Sequence, residues 1–467
     1  MNQFPGSPAG QPLEASFRDP NGFIFSYEGQ IYRQINLQYQ ENYSHLVDSG
    51  LYDALLKAGL IVRHEEVNIP AVLPDRVYKI IQPDPLRFVS YPYEWSFSQH
   101  KDAARATLQI QKTALKFGMS LKDCSAFNVQ FHGGRPCLID TLSFEIYQEG
   151  KPWVAYRQFC QHFLAPLSLM AYRDMHLSQL LKIDLDGLPL DFTSRLLPWH
   201  TRMVPALLLH IHLHAASQKR YASAGSMKLD SNRQVSRNAM LGLIDSLDSA
   251  IQRLEWRRTA TSWADYYRAD HNYTPEALAH KKQIVIEYLE KIKPGIVWDL
   301  GANTGMFSRL ASERGVFTLA FDSDPGAVEL CYRESRSKNE KLLLPLLQDL
   351  TNPSPGIGWQ NQERAGLIER ANADAIMALA LIHHLAIGNN LPFDRLASFF
   401  RRLGRWLIIE FVPKDDSQVR RLLAAREDIF YDYTIESFEH AFQKKYLIQR
   451  VEQIRGSDRR LYLMEGR

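Results

Sequence analysis

A carboxylate and two glycines follow one another where an apolar run ends. Residues 297–305 are Val-Trp-Asp-Leu-Gly-Ala-Asn-Thr-Gly, so Asp299 closes a predicted strand, and Gly301 and Gly305 lie in the turn before a predicted helix. Open α/β sheets bind ligands at the carboxyl ends of their strands, where this turn falls. Because glycine lacks a side chain, a ligand can approach the backbone closely. The segment therefore predicts a ligand-binding turn.

The spacing of this turn argues against two common phosphate-binding loops. A dinucleotide site needs G-x-G-x-x-G, and Asn303 stands at the position of the second glycine. A P-loop needs Gly-Lys-Ser/Thr, which does not follow. A carboxylate at Asp299 would repel a pyrophosphate and attract a cation. We therefore expect a ligand that is cationic and lacks phosphate, such as S-adenosylmethionine (SAM) with its ammonium and sulfonium groups.

Two further polar positions end the next predicted strands. Asp322 follows Leu-Ala-Phe and precedes a helix start, and a carboxylate there can accept both hydroxyls of a ribose. Gln348 and Asp349 end the strand after that, where a side chain can meet the edge of an adenine ring.

In this order, the residues resemble the motifs of class I SAM-dependent methyltransferases. The resemblance covers roughly residues 263–467 and implies a Rossmann-like, doubly wound sheet of seven strands with SAM as cofactor. Asn303 departs from the motif, since many members have glycine there. A glycine turn in another Rossmann-like domain is the alternative. By the resemblance, the cofactor would be bound by Asp299, Gly301, Asn303, Gly305, Asp322, Gln348 and Asp349.

The acceptor side carries weaker signals. After the fourth predicted strand the chain has Ala-Leu-Ile-His, not the Asn/Asp-Pro-Pro-Tyr/Phe with which family members often methylate exocyclic amines. We therefore favour a small molecule or a protein over nucleic-acid bases as acceptor. His383 at this edge is a candidate general base, or a structural side chain bonded to loop backbone. Glu410 is predicted either to contact the substrate or to hold a loop in place. Trp263, Tyr266, Tyr267 and Tyr273 close over the cofactor or pack a seam.

The first half of the chain contains a second set of polar residues. Asp123 and Asn128 are five positions apart, a predicted hairpin follows, and Asp140 ends its second strand. This pattern resembles the catalytic loop and metal-binding aspartate of protein-kinase-like folds, especially small-molecule phosphotransferases. The resemblance implies Asp123 as base and Asn128 and Asp140 as magnesium ligands.

The pattern also departs from kinases. Leu121 stands where a histidine is usual, no Phe-Gly follows Asp140, and residues 22–35 have no glycine-rich phosphate loop. Arg33 or Lys79 would have to replace the strand lysine. Three possibilities therefore remain open: an active kinase-like phosphotransferase or bifunctional enzyme, a non-catalytic protein that senses SAM or a nucleotide, and an unrelated fold.

The composition sets the frame for these motifs. A length of 467 residues predicts two or three domains, and a net charge of +3 argues against a dedicated nucleic-acid binder. The four cysteines show neither CxxC pairs nor zinc spacing, which favours a reduced, cytoplasmic setting. His210 and His214 could share a helix face, but we expect no metal. No signal peptide and no membrane-spanning run are predicted. The methyl acceptor and the oligomeric state are left open.

The pattern of elements divides the chain into four parts. Alternating helices and strands after about residue 263 indicate an α/β domain with a parallel sheet. The first half mixes hairpins and helices, as in an α+β domain. The predicted parts are a flexible lead (1–16), an α+β, kinase-like domain (17–215), a basic linker with a connecting helix (216–262) and a methyltransferase domain (263–467).

Overall fold

The computed structural model describes residues 10–216, 234–256, 273–424 and 427–467. The chain forms two compact units. The first comprises Met1–Arg257 with Gly356–Ala365, and the second comprises Arg258–Pro355 with Gly366–Arg467.

The first unit begins with a five-stranded antiparallel sheet. Its strands are β1 (Gln11–Pro12), β2 (Gly22–Tyr27), β3 (Gln30–Asn36), β4 (His64–Val67) and β5 (Val77–Pro83), in the order β1-β2-β3-β5-β4. The predicted hairpin between β2 and β3 is confirmed. Its two turn residues, Glu28 and Gly29, have φ of 48° and 76°, which suits the twist of a two-residue hairpin turn.

Helices and short hairpins complete this unit. The helices are α1 (Gln40–Asp48), α2 (Leu51–Lys57), α3 (Phe97–Lys116), α4 (Tyr156–Phe159), α5 (Ala165–Tyr172), α6 (Leu190–Leu196), α7 (Pro205–Leu207) and α8 (Arg237–Arg253). The helical spacing of leucines over residues 43–60 predicts one helix here, but Gly50 between α1 and α2 is left-handed, with φ of 82°, and ends the first. The small strands pair as β6 (Met119–Leu121) with β9 (Phe144–Ile146), and β7 (Val129–His132) with β8 (Arg135–Leu138).

Apolar spacing predicts a helix over residues 102–118, and helix α3 begins five residues earlier, at Phe97. Ser96 caps it, because its hydroxyl accepts the Gln99 N–H at 3.4 Å while the Gln99 side chain accepts the Ser96 N–H at 2.9 Å. This reciprocal capping box satisfies two amides that the helix itself leaves unpaired.

The second unit has the predicted doubly wound α/β fold. Its seven strands are β10 (Ile296–Leu300), β11 (Phe317–Asp322), β12 (Leu343–Leu347), β13 (Ala373–Ala378), β14 (Gly404–Phe411), β15 (Tyr446–Gln453) and β16 (Arg460–Gly466). Their order is β12-β11-β10-β13-β14-β16-β15, with the first five parallel and β16 antiparallel to both neighbours. The helices are α9 (Pro275–Ile292), α10 (Met306–Ser312), α11 (Pro325–Ser337), α12 (Phe393–Leu403), α13 (Ser417–Leu423) and α14 (Ile435–Gln443).

The strand order reverses between β10 and β13. The chain runs outward through β11 and β12 and then returns to the other side of β10. The loops after β10 and β13 therefore leave the sheet in opposite directions and open a crevice, which is where doubly wound sheets bind ligands.

Two further features concern the rest of the chain. Gly356–Ala365, which follows β12 in the sequence, belongs to the first unit, where Glu363 forms an ion pair of 2.6 Å with Arg18. In the described ranges, no helix is both long and apolar enough to cross a bilayer.

Candidate functional site

A cavity of about 360 Å³ lies at the carboxyl ends of four strands of the second unit. Gly301 and Asn303 reach it after β10, and Asp322 at the end of β11. Its walls also include Gln348 and Asp349 after β12 and Leu379, Ala380, Leu381, His384 and Leu385 after β13. The structure thus brings five of the predicted cofactor residues to one cavity, namely Gly301, Asn303, Asp322, Gln348 and Asp349. We call this space the cofactor cavity.

Asp322 is held in place by backbone amides. One of its carboxylate oxygens accepts the Asn303 N–H at 2.7 Å and the other accepts the Asp324 N–H at 2.9 Å. Burial raises the pKa of the Asp322 carboxyl to about 6, although these N–H groups act in the opposite direction. Each oxygen keeps a further lone pair, so the carboxylate at the cavity wall can accept two more hydrogen bonds.

The turn after β10 explains the asparagine at position 303. Its φ is 52°, in the left-handed region, and its side-chain oxygen accepts the Thr304 N–H at 2.8 Å. Asparagine tolerates this region better than most residues with a side chain. Gly301 is also left-handed, with φ of 74°, and a Cβ there would lie 3.1 Å from the Leu381 side chain. Asn303 therefore fits the turn that glycine makes in many methyltransferases.

Gly305 does not line the cavity, and glycine is needed there for a different structural reason. It is left-handed, with φ of 81°, at the start of α10, and a Cβ would lie 2.6 Å from the Cys331 sulfur. The glycine thus allows close packing of the turn on α11, and the residue does not line the cavity.

Asp299 is also placed beneath the turn. Its side chain is buried and accepts the Ser308 hydroxyl at 2.6 Å. Burial raises the pKa of this carboxyl to about 7, partly offset by the Ser308 hydrogen bond and by the charge of Lys281. Asp299 is absent from the cavity wall. It therefore acts on the turn indirectly, through its hydrogen bond to Ser308 and through its charge.

Gln348 and Asp349 lie on the other side of Asp322. The buried Gln348 side chain donates to the Asp349 carbonyl at 3.1 Å and accepts the Ser354 hydroxyl at 3.1 Å. One carboxylate oxygen of the exposed Asp349 accepts the N–H and the hydroxyl of Thr351, at 2.8 and 2.7 Å. These contacts fix both side chains at the cavity edge.

The two histidines after β13 have different positions. His384 lines the cavity, whereas the side chain of His383 is only 1% exposed and does not. Their ring centroids are 4.1 Å apart. Burial holds the pKa of His383 well below its usual value and lowers the pKa of His384 to about 4. Both imidazoles are therefore neutral at physiological pH.

Glu410 belongs to a buried ionic network that adjoins the cavity wall. Its carboxylate contacts the Lys281 ammonium at 2.7 Å, accepts the Ala380 N–H at 2.8 Å and receives the Tyr273 hydroxyl. Ala380 is left-handed, with φ of 50°. Of the two predicted roles for Glu410, the geometry favours pinning a loop, because Glu410 holds this strained residue and does not line the cavity.

No sequence pattern predicted the cationic half of this network. Lys281 is completely buried on α9, and Arg459 forms a bidentate pair with Asp416, at 2.7 and 3.0 Å. The one signal for Lys281 was its place on the apolar stripe of a predicted helix. Four aromatic residues were predicted either to close over the cofactor or to pack the domain seam. Of these, Tyr273 is buried against Arg459, and Trp263, Tyr266 and Tyr267 lie outside the described residues.

The first unit assembles the second set of polar residues. The Asn128 amide donates to Asp123 at 3.0 Å and to Asp140 at 3.5 Å. The Arg33 guanidinium forms an ion pair of 2.5 Å with Asp140, so Arg33 and not Lys79 reaches this group. Burial, and next the charge of Asp140, raises the pKa of Asp123. In the part of the chain that the structure describes, no group of three or more His, Cys, Asp or Glu side chains could hold a metal ion.

His210, which could share a helix face with His214, has two hydrogen-bond partners in the fold. Its Nδ1 contacts the Tyr156 hydroxyl at 2.8 Å and its Nε2 contacts the Ser246 hydroxyl at 2.9 Å. Since both ring nitrogens have partners, this side chain is a buried structural histidine.

Comparison with known proteins adds one close relative. Nodulation protein NoeA of Rhizobium meliloti (strain 1021) is 36% identical over 471 residues, covering 99% of this chain and 96% of the relative. The chain belongs to the NoeA family. No family model matches it.

Solved structures give more distant likenesses to this NoeA-family chain. Magnesium protoporphyrin IX methyltransferase (ChlM) from Synechocystis PCC 6803 is 16% identical, with a TM-score of 0.31, and covers 44% of this chain and 98% of its own. The bifunctional kinase-methyltransferase WbdD is 14% identical, with a TM-score of 0.30, and covers 43% and 42%. At these scores the likenesses do not bear on function, which rests on the geometry of the site.

Proposed function

We propose that the chain is a SAM-dependent methyltransferase. The observation that carries this proposal is Asp322, a carboxylate oriented by two backbone amides at the wall of a cavity that opens at the reversal of strand order. An acid in this place suits two ribose hydroxyls. Gln348 and Asp349 beside it are suited to an adenine edge.

The cofactor cavity fits SAM in charge as well as position. Asp322 and Asp349 bring carboxylates to its wall, and Asp299 lies buried behind the turn. A cation is favoured near such groups, whereas a pyrophosphate is not. The left-handed Gly301 leaves the backbone of the turn accessible.

When bound, SAM supplies an electrophilic methyl carbon on its sulfonium. The residues of this chain would orient the acceptor and keep water away, with Leu379, Leu381 and Leu385 forming the apolar part of the wall. His383 remains our candidate for proton removal; it does not line the cavity, and its ring centroid is 4.1 Å from that of His384, which does. Because both imidazoles have lowered pKa values and are weak bases, we propose that orientation supplies most of the rate.

The acceptor is proposed to be a small molecule or a protein. The name of the relative associates that protein with nodulation, and we propose the same process for this chain. The test is incubation with methyl-labelled SAM and cell extract. Label should enter small molecules or protein with the wild type and with Asp415→Ala, an exposed carboxylate outside the cavity, but not with Asp322→Ala.

The possible results of this assay distinguish the proposed acceptor class, the proposed cofactor site and the non-catalytic alternative. Label in RNA would contradict the acceptor class. Equal transfer by Asp322→Ala and the wild type would contradict the cofactor site. SAM binding without transfer to any extract would favour the non-catalytic sensor instead of an enzyme.

A kinase-like phosphotransferase is the second candidate function, located in the first unit. It is supported by the contacts that bring Asp123, Asn128 and Asp140 together. Arg33 already neutralises Asp140, so magnesium would have to compete with a guanidinium. Calorimetry with ATP and magnesium tests this candidate: binding that Asp140→Ala abolishes supports it, and the absence of binding to the wild type contradicts it.

A further inference from the structure

A second cavity, of about 460 Å³, lies in the second unit and shares a wall with the cofactor cavity. The start of α12, helix α14 and residues 429–433 enclose it. The shared wall is the segment 384–391: His384, Leu385 and Asn389 line the cofactor cavity, whereas Ala386, Asn390 and Leu391 line the second. Both volumes are within the range of small-molecule sites.

The floor of the second cavity is aromatic. The Phe393 and Tyr433 rings line it, with centroids 5.4 Å apart, together with the small side chains of Ala386 and Ala441. The Tyr433 hydroxyl donates to the Val412 carbonyl at 2.8 Å, so it is already used inside the fold. Such a floor suits the face of a flat or ring-shaped apolar group.

The rim of the cavity is acidic on balance. Two carboxylates, Asp394 and Asp432, line it with one ammonium, Lys444, and one imidazole, His440. Lys444 pairs with Asp394 at 3.1 Å. No ion pair joins Asp432 to another described residue, and its side chain is exposed at the rim. A ligand with a cationic or hydroxyl donor beside its ring can therefore bind Asp432 while the ring rests on the floor.

We propose that this second cavity binds a ring-bearing small molecule with an ammonium or hydroxyl donor, and that it holds the non-reacting part of the methyl acceptor. The acceptor assignment rests on the proposed methyltransferase function, whereas the binding site does not. The shared wall carries the assignment, because a ligand held against segment 384–391 is placed beside the cofactor cavity. Binding of a remote part of the substrate orients its reacting atom.

Two matched probes test the binding site. Tyramine and 3-(4-hydroxyphenyl)propionate share a phenol ring and differ in the sign of the charge at the end of the side chain. Titration by saturation-transfer NMR should show tyramine binding at least about fivefold more tightly. Asp432→Asn should remove this preference. Failure of tyramine to bind the wild type, or tighter binding of the propionate, would overturn the proposal.

A cavity-filling variant tests the location. Ala441→Phe places a ring in the second cavity, and Gln443→Phe places the same ring on the exposed side of α14. The first should lose tyramine binding and the second should keep it, with SAM binding unchanged in both. Ser437→Phe, on another part of the lining, serves if Ala441→Phe fails to fold. Equal tyramine binding by the wild type and a folded cavity-filling variant would overturn the location.

The label-transfer assay tests the acceptor assignment. Ala441→Phe should lose transfer while it still binds SAM, and Gln443→Phe should retain both. Undiminished transfer by Ala441→Phe would overturn the assignment. If the wild type itself transfers no label, the proposed methyltransferase function fails, while the tyramine titration still decides the binding site.

Discussion

The Asp299→Asn variant should become more stable relative to the wild type as pH rises. The Asp299 carboxyl is 2% exposed, and its burial raises the pKa from 3.8 to about 7. The folded state therefore holds the proton more tightly than the unfolded state does. Stability is then highest when the group is protonated and falls as pH rises from about 4 to about 7. The uncharged asparagine removes this loss and can still accept the Ser308 hydroxyl.

The size of the effect follows from the two pKa values. Between pH 5 and pH 8, the difference in free energy of unfolding between Asp299→Asn and the wild type should widen by about 2.5 kcal/mol in favour of the variant. Any pH-independent cost of placing an amide at this position shifts both ends equally. The measurement is urea denaturation of both proteins without ligand at several pH values.

The Ser308→Ala variant provides a matched test of this prediction. Ser308→Ala removes the hydrogen bond that lowers the Asp299 pKa, so in this background the widening should extend further above pH 7. A stability difference that stays constant from pH 5 to pH 8 would refute a buried carboxyl with a raised pKa.

Three further predictions concern the glycine turn, the first unit and the cofactor cavity. Gly305→Ala combines a positive φ with a steric clash, so it should lower the free energy of unfolding by about 1 kcal/mol or more beyond the loss in Gly315→Ala. At Gly315, φ is 83° but a Cβ meets nothing within 4 Å. Equal losses of stability in urea denaturation would contradict this prediction. Arg33→Met should destabilise the protein by about 2 kcal/mol because it removes the guanidinium partner of the Asp140 carboxylate, which keeps its hydrogen bonds from Leu142 and Ser143, and adding Asp140→Asn should restore part of the loss; an additive double-mutant cycle would show that the pair is not coupled. SAM affinity measured by calorimetry should fall as pH drops through about 6, where Asp322 becomes protonated; affinity independent of pH between 5 and 7.5 would argue against its role.

The sequence predicted most elements of the second unit because their signals are local. Each strand from β10 to β12 is a short apolar run, and its end coincides with Asp299, Asp322 or Gln348. In a parallel sheet, these strand ends meet at one edge. Five of the positions that line the cofactor cavity, Gly301, Asn303, Asp322, Gln348 and Asp349, therefore followed from the order of motifs along the chain.

The missed features depend on contacts between distant residues. A lysine on a helix usually reaches solvent, and the burial of Lys281 is explained by Glu410 on β14. Gly305 was predicted to make room for a ligand, yet it makes room for Cys331 on α11. Neither partner can be identified from spacing. The second cavity is formed by α12, α14 and segment 384–391, which only the folded chain brings together.

Titration of SAM into the protein in a calorimeter is the most direct test of the proposed methyltransferase function. We expect one site per chain with a dissociation constant in the micromolar range or below, as an order of magnitude. Asp322→Ala should abolish this binding, and Asp415→Ala should leave it unchanged. Absence of SAM binding to the folded wild type would contradict the proposed function, and equal binding by Asp322→Ala would contradict the proposed cofactor site.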